Sequence, residues 1–202
     1  MRCYSLENCN LMSHSQGVVV RIYPESGDTP ASSSVITWRI VVKIIQKFED
    51  SLTSLNISRN TGVKVEDLCG MTSLKLRHLN ITGCSSVSHE GFLSLLQNQK
   101  FLTVLKMENC RKILAGTKEQ TEDIFHSLKN VQVLNISDNS IAQLRALSSI
   151  SRLLDLTMDN LDSPGSSITS AMTSMDTSHL TSWRARGLSM SSQDLSRIIN
   201  HK

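Results

Sequence analysis

Residues 76 to 84 read LRHLNITGC, with Leu76, Leu79 and Ile81 at the first, fourth and sixth places and Cys84 at the ninth. The spacing returns in LTSLNISRN (52–60), LTVLKMENC (102–110) and VQVLNISDN (131–139). A pattern that recurs this way is a structural unit. In a short strand the fourth and sixth side chains point to the same side. The ninth turns its polar group toward the backbone, where an Asn amide or a Cys thiol satisfies loop groups that would otherwise be buried unpaired.

A period of 20–29 residues carrying L-x-x-L-x-L-x-x-[N/C] is the signature of a leucine-rich repeat. The fold class expected is therefore α/β, a curved solenoid with parallel strands on its concave face and helices on its convex face. Weaker starts fall at 1, 151 and 180. MRCYSLENC places Tyr4, Leu6 and Cys9; SRLLDLTMD places Leu154 and Leu156 but ends in Asp159; LTSWRARGL keeps Leu180 and Trp183. Residues 1–51 thus read as degraded N-terminal repeats, with a Pro/Gly/Ser loop at 23–34 and a helix near 35–49 that aligns Ile36, Ile40, Ile44 and Phe48. Residues 52–150 read as well-formed repeats. Residues 151–202 read as degraded C-terminal repeats, and their Ser/Thr-rich segment at 162–179 is either a weak convex helix through Ile168, Met172 and Met175 or a mobile loop. Of the return segments, one offers Ser88 as a cap and buries Phe92, Leu93, Leu95 and Leu96; the next packs Ile124, Phe125 and Leu128.

Aromatics make up only 4% of the 202 residues, so the core must be built from Leu, Ile, Val and Met. The net charge of +3 is scattered, with no Lys/Arg run and no aromatic-basic stripe, so neither nucleic acid nor membrane is expected as a partner. No apolar run approaches the roughly 20 residues of a membrane helix, and the opening residues lack the pattern of a signal peptide. A cytoplasmic protein, or a nuclear one, is the expectation. Five cysteines at uneven spacing suit a reduced compartment. Cys84 and Cys110 with His78 and His89 lack metal-ligand spacing, so neither metal nor cofactor is expected. Cys3, Cys69 or a serine could in principle act with His78, His89 or His126. No Gly-x-Ser-x-Gly elbow, phosphate loop or paired-carboxylate motif accompanies them, and no enzyme is expected.

The stretch LRHLNITGCSSVSHEGFLSLLQ resembles the cysteine-containing repeat of F-box and ribonuclease-inhibitor-like leucine-rich-repeat proteins. Leu76, Leu79, Ile81, Cys84, Val87, Ser88, Gly91, Phe92 and Leu95 match its form, whereas Cys110 with Ile113 begins a copy that then departs. The resemblance implies a substrate-capturing face of the kind that serves a cullin-type ubiquitin ligase. No Leu-Pro-opened F-box helix precedes the repeats, so the expectation is either a fragment of a longer chain that joins a cullin complex, or a scaffold or regulatory binder with no ubiquitin link.

Positions three, five and seven of each strand alternate away from the leucines. They give the expected partner-binding face: Ser54, Asn56, Ser58, His78, Asn80, Thr82, Val104, Lys106, Glu108, Val133, Asn135 and Ser137, followed by Leu153, Asp155 and Thr157 in the weaker copy. The function expected is non-catalytic protein–protein interaction on that concave face.

Overall fold

The computed structural model describes residues 2–6, 9–14, 17–22, 38–60, 62–141, 143–194 and 196. Among the described residues nine strands lie in one open sheet in chain order: β1 Arg2–Leu6, β2 Cys9–His14, β3 Gly17–Ile22, β4 Leu52–Asn56, β5 His78–Asn80, β6 Val104–Lys106, β7 Val133–Asn135, β8 Asp155–Thr157 and β9 Ser182–Arg184. From β3 to β9 every neighbouring pair is parallel. The return segments carry helices α1 Trp38–Lys47, α2 His89–Asn98, α3 Arg111–Leu114, α4 Lys118–Ser127 and α5 Gly165–Ser174, and single 3₁₀ turns at Val65–Leu68 and Arg145–Ser149. This is a leucine-rich-repeat solenoid.

The N-terminal strands depart from the repeat expected at residue 1. β1 and β2 pair antiparallel, as do β2 and β3, so Cys9 opens a strand instead of closing a coil. Chain length is the reason. Two residues separate β1 from β2, and two separate β2 from β3, whereas a parallel return needs a crossover of about a dozen residues or more. The loop expected at 23–34 lies outside the described residues. The helix expected near 35–49 is α1, but its buried face is Val41 and Ile45, with Ile40 exposed and Ile44 and Phe48 only partly covered. Ile36 lies outside the described residues.

Register explains the core. Val20, Leu55, Leu79, Leu105, Leu134, Leu156 and Trp183 are successive partners across the sheet. Each of the first six is at most 1% exposed, while Trp183, on the last of the described strands, is 41% exposed. Ile57, Ile81, Met107, Ile136 and Met158, two residues further along, are each 0% exposed. Their backbone N–H groups donate to Asn80, Lys106, Asn135, Thr157 and Arg184 carbonyls on the following strand. A coil therefore satisfies its inward backbone only against its neighbour, as repeat stacking requires.

A second row sits at the eighth place. Arg59, Gly83, Asn109, Asp138, Asn160 and Gly187 all have positive φ, between 50° and 72°. There the chain turns off the strand, and the N–H groups of Arg59, Gly83, Asn109, Asp138 and Asn160 donate to the next coil, at 2.6–3.0 Å. This left-handed position corrects the start expected at 151. A frame from 151 would put Met158 in that conformation, which Asn tolerates far better than Met. The coil starts instead at Leu153, with Leu156 in the leucine column, Leu161 ninth and Leu154 exposed.

Capping fixes the helices. Ser88 Oγ accepts from Gly91 N at 3.0 Å to open α2, and Thr117 and Gln120 form a reciprocal capping box at α4. Phe92, Leu95, Leu96, Ile124, Phe125 and Leu128 are buried, and Leu93 is partly so. The Ser/Thr-rich segment is helical over α5. Thr169, Thr173 and Ser174 turn their hydroxyls back onto helix carbonyls, and Ile168, Ala171 and Met172 pack inward. Among the described residues no helix is long and apolar enough to cross a membrane.

Candidate functional site: the strand face

The side chains that the strands turn away from the core form three rows. Ser54, His78, Val104, Val133, Asp155 and Ser182 are register partners, as are Asn56, Asn80, Lys106, Asn135, Thr157 and Arg184. The third row, at the seventh place, is Ser58, Thr82, Glu108, Ser137 and Asp159.

Many of these groups already have work in the coil. Asn56, Asn80 and Asn135 each use Oδ1 to accept the N–H two residues on, from Ser58, Thr82 and Ser137, at 3.0–3.1 Å. The Asn80 and Asn135 carbonyls accept from Ile57 and Met107 of the preceding coil, so asparagine is a residue that ends the strand cleanly at that place. Ser137 is only 3% exposed and its Oγ accepts from Asp159 N at 3.0 Å, which withdraws it from the surface. Leu153 is buried and does not belong to the face. His78 and Lys106 are exposed, and Ser54, Ser58, Thr82, Val104, Glu108 and Val133 are half-buried. Glu108 Oε2 accepts from Asn135 Nδ2 at 3.2 Å.

Moving the fifth coil by two residues adds Asp159 to the face, along with Arg184 from the last strand. Arg184 Nε lies 2.8 Å from Asp159 Oδ2, and the same carboxylate accepts from Arg186 N at 2.9 Å through its other oxygen. The face is thus uncharged at β4 and β7; its charges are Arg21 on β3, Lys106 and Glu108 at β6, and Asp155, Asp159 and Arg184 at β8 and β9. The left-handed eighth place, filled here by Asn160, was the signal in the sequence that assigns Asp159 correctly.

Beneath the face, the ninth residues bind the coils together. Asn60 Nδ2 donates to Ile57 and Ser58 carbonyls, both at 3.0 Å, and Asn139 Nδ2 to Met107, Ile136 and Ser137 carbonyls at 2.9–3.1 Å. Cys84 Sγ donates to Ile57 O at 3.1 Å and Cys110 Sγ to Ile81 O at 3.0 Å. Burial pushes the Cys84 thiol up to about 11 and the Cys110 thiol up to about 12, which keeps both protonated as donors. Cys69 is raised too, by burial and then by Glu66 and Asp67, and its Sγ faces the carbonyls of Val65 and Gly91. His89 is buried, with Nδ1 3.0 Å from Ile113 O. These groups hold the coils in place, and no His is paired with a thiol among the described hydrogen bonds. Among the described residues no three His, Cys, Asp or Glu side chains gather as a metal site would require.

No family model matches the sequence, and no curated protein matches it. Among solved structures the chain is similar to two internalins of Listeria monocytogenes str. 4b F2365. To the internalin inlF it is 14% identical with a TM-score of 0.44, over 76% of this chain and 54% of that one. To internalin C2 it is 19% identical with a TM-score of 0.45, over 76% of this chain and 60% of that one. In both cases the match spans less than two thirds of the internalin's length.

Proposed function

We propose that the chain is a non-catalytic protein-interaction module that captures a partner on the strand face, centred on His78, Asn80, Thr82, Val104, Lys106 and Glu108. The observation that carries this reading is the division of labour within each strand. Leucine-column side chains are committed to the core, while the third and fifth places stand out across six parallel strands as one continuous, mainly polar surface. Rigid elements bearing side chains with no packing duty are what a recognition surface needs. His78 and Lys106 are exposed at the middle of the face, and Glu108 Oε2 accepts from Asn135 Nδ2.

Capture of a ligase substrate is one form of this reading. It is supported by coil 76–95, which resembles the cysteine-containing repeat and in which Cys84 Sγ donates to Ile57 O and Ser88 Oγ accepts from Gly91 N. A ubiquitin-independent scaffold shares the same face. The test is a pull-down from cell extract with the His78→Ala, Lys106→Ala, Glu108→Ala triple variant beside a Lys118→Ala, Glu122→Ala variant on α4. Loss of partners from the first alone supports the strand face; loss from the second alone assigns binding to the helical side. A cullin adaptor among the captured proteins would select the ligase form.

A further inference from the structure

The rim where the chain enters each strand carries a charge pattern that the linear sequence hides. Lys75, Arg77, Lys100, Lys129 and Arg152 are spread over some eighty positions, yet each falls within two residues of a coil start and each is exposed. Backbone bonds set them side by side. Thr103 N donates to Arg77 O, Gln132 N to Thr103 O and Leu154 N to Gln132 O, at 2.8–2.9 Å. Lys100 and Lys129, with His126, line one cavity of about 280 Å³ between the ends of α2 and α4.

Segments 69–78, 97–103, 126–132 and 148–154 contain neither Asp nor Glu; the carboxylates close to coil starts are Asp50, before Leu52, and Asp155, on the strand after Leu153. The two ion pairs among the described residues, Lys118–Glu122 and Arg184–Asp159, both lie elsewhere. At one end Glu49 accepts from Ser73 N at 2.7 Å, with the exposed Asp50 next in sequence, and at the other Asp176 accepts from Ser178 N. Two exposed apolar groups accompany the cations: Phe101 is 54% exposed and Leu154 is 37% exposed.

We propose that this rim is a docking surface for an extended acidic protein segment bearing apolar side chains, distinct from the strand face. Charge complementarity selects the sign of the partner. Four coils at a strand spacing of ~4.8 Å put the outer cations roughly 14 Å apart, the reach of about four extended residues. The apolar groups select peptide over nucleic acid. Single strands are held by stacking bases on successive aromatic rings, and this rim offers one exposed ring, Phe101, and, two coils away, the aliphatic Leu154, which suits leucine-like side chains.

The test is fluorescence anisotropy with a labelled peptide of alternating glutamate and leucine, about eight residues long so that it outspans the rim. Binding should weaken as salt rises. It should fall more than about tenfold in the Lys100→Glu, Lys129→Glu variant, because reversed charges repel the ligand. It should persist in the His78→Ala, Lys106→Ala, Glu108→Ala variant, which separates the rim from the strand face. Both rim lysines are exposed, so the folded state should survive, checked by the unfolding midpoint. Undiminished binding by the charge-reversed protein, loss in the strand-face variant, or tighter binding of an oligothymidylate of equal charge would each overturn the proposal.

Discussion

Asn139→Ala should be among the most damaging single substitutions in the chain, and the coil geometry says by how much. Asn139 is 1% exposed. Its Oδ1 accepts from Cys110 N at 2.8 Å, and its Nδ2 serves the carbonyls of Met107, Ile136 and Ser137. Alanine leaves Cys110 N without its acceptor in a buried turn and strips donors from three carbonyls. A buried unsatisfied group costs about 1–3 kcal/mol. With the N–H fully orphaned and the carbonyls partly so, a loss of ~3–5 kcal/mol follows, at the upper end for point changes. Cys84→Ala supplies the contrast. Its thiol donates to Ile57 O, but that oxygen also accepts from Asn60 Nδ2. No backbone group is orphaned, and the loss should be ~1 kcal/mol, mostly the small void left by sulfur. Urea unfolding of the two variants beside the parent reads both numbers from midpoints at constant slope. Equal losses, or an Asn139→Ala loss under ~1.5 kcal/mol, would refute the argument that the ninth residue acts by satisfying the turn.

Three further outcomes follow from the same geometry. Gly83→Ala should cost ~1–2 kcal/mol because its φ is +72°, whereas Arg59→Gly should be neutral or mildly stabilising, since Arg59 already bears that penalty at φ +61°; urea midpoints moving the other way would contradict it. The unfolded thiols ionise near their ordinary value of 9.0, and the folded ones near 11 and 12 for Cys84 and Cys110. Above pH 9 the unfolded chain therefore binds fewer protons, and stability contributed below that pH is lost as pH rises toward 11. A Cys84→Ser, Cys110→Ser double variant should show a shallower fall in thermal midpoint over that window. At the open end of the leucine column, Trp183→Ala should cost about 1 kcal/mol or less while Leu134→Ala costs ~2–5 kcal/mol, and matching losses would mean that the last coil is as tightly packed as the middle.

Much of the solenoid is legible in the sequence because four coils keep leucine at the fourth place, Leu, Val, Ile or Met at the first and sixth, and Asn or Cys at the ninth. Frames at 52, 76, 102 and 131 coincide with β4 to β7, and Ser88 and Phe92 announce α2. The fifth coil misleads because Leu153, Leu154 and Leu156 admit two frames. Leucine spacing alone cannot choose between them, and the left-handed eighth place can. The N-terminal meander is hidden for another reason: alternation of apolar residues reads the same in a parallel or an antiparallel strand, and only the two-residue gaps distinguish them. On the face, alternation locates His78, Lys106 and Glu108 on exposed or half-buried positions. It cannot reveal that Ser137 turns inward to Asp159 N, nor that Lys75, Arg77, Lys100, Lys129 and Arg152 meet on one rim, since both depend on the stacking of neighbouring coils.

The central claim is that the strand face receives the partner, and site-specific photo-crosslinking tests it most directly. A photoreactive amino acid placed in turn at Asn80, Lys106 and Glu122 samples the middle of the face twice and the α4 surface once. Covalent capture of a protein partner from positions 80 and 106 and none from 122 is the predicted result; capture from position 122 with none from the two strand positions would contradict it.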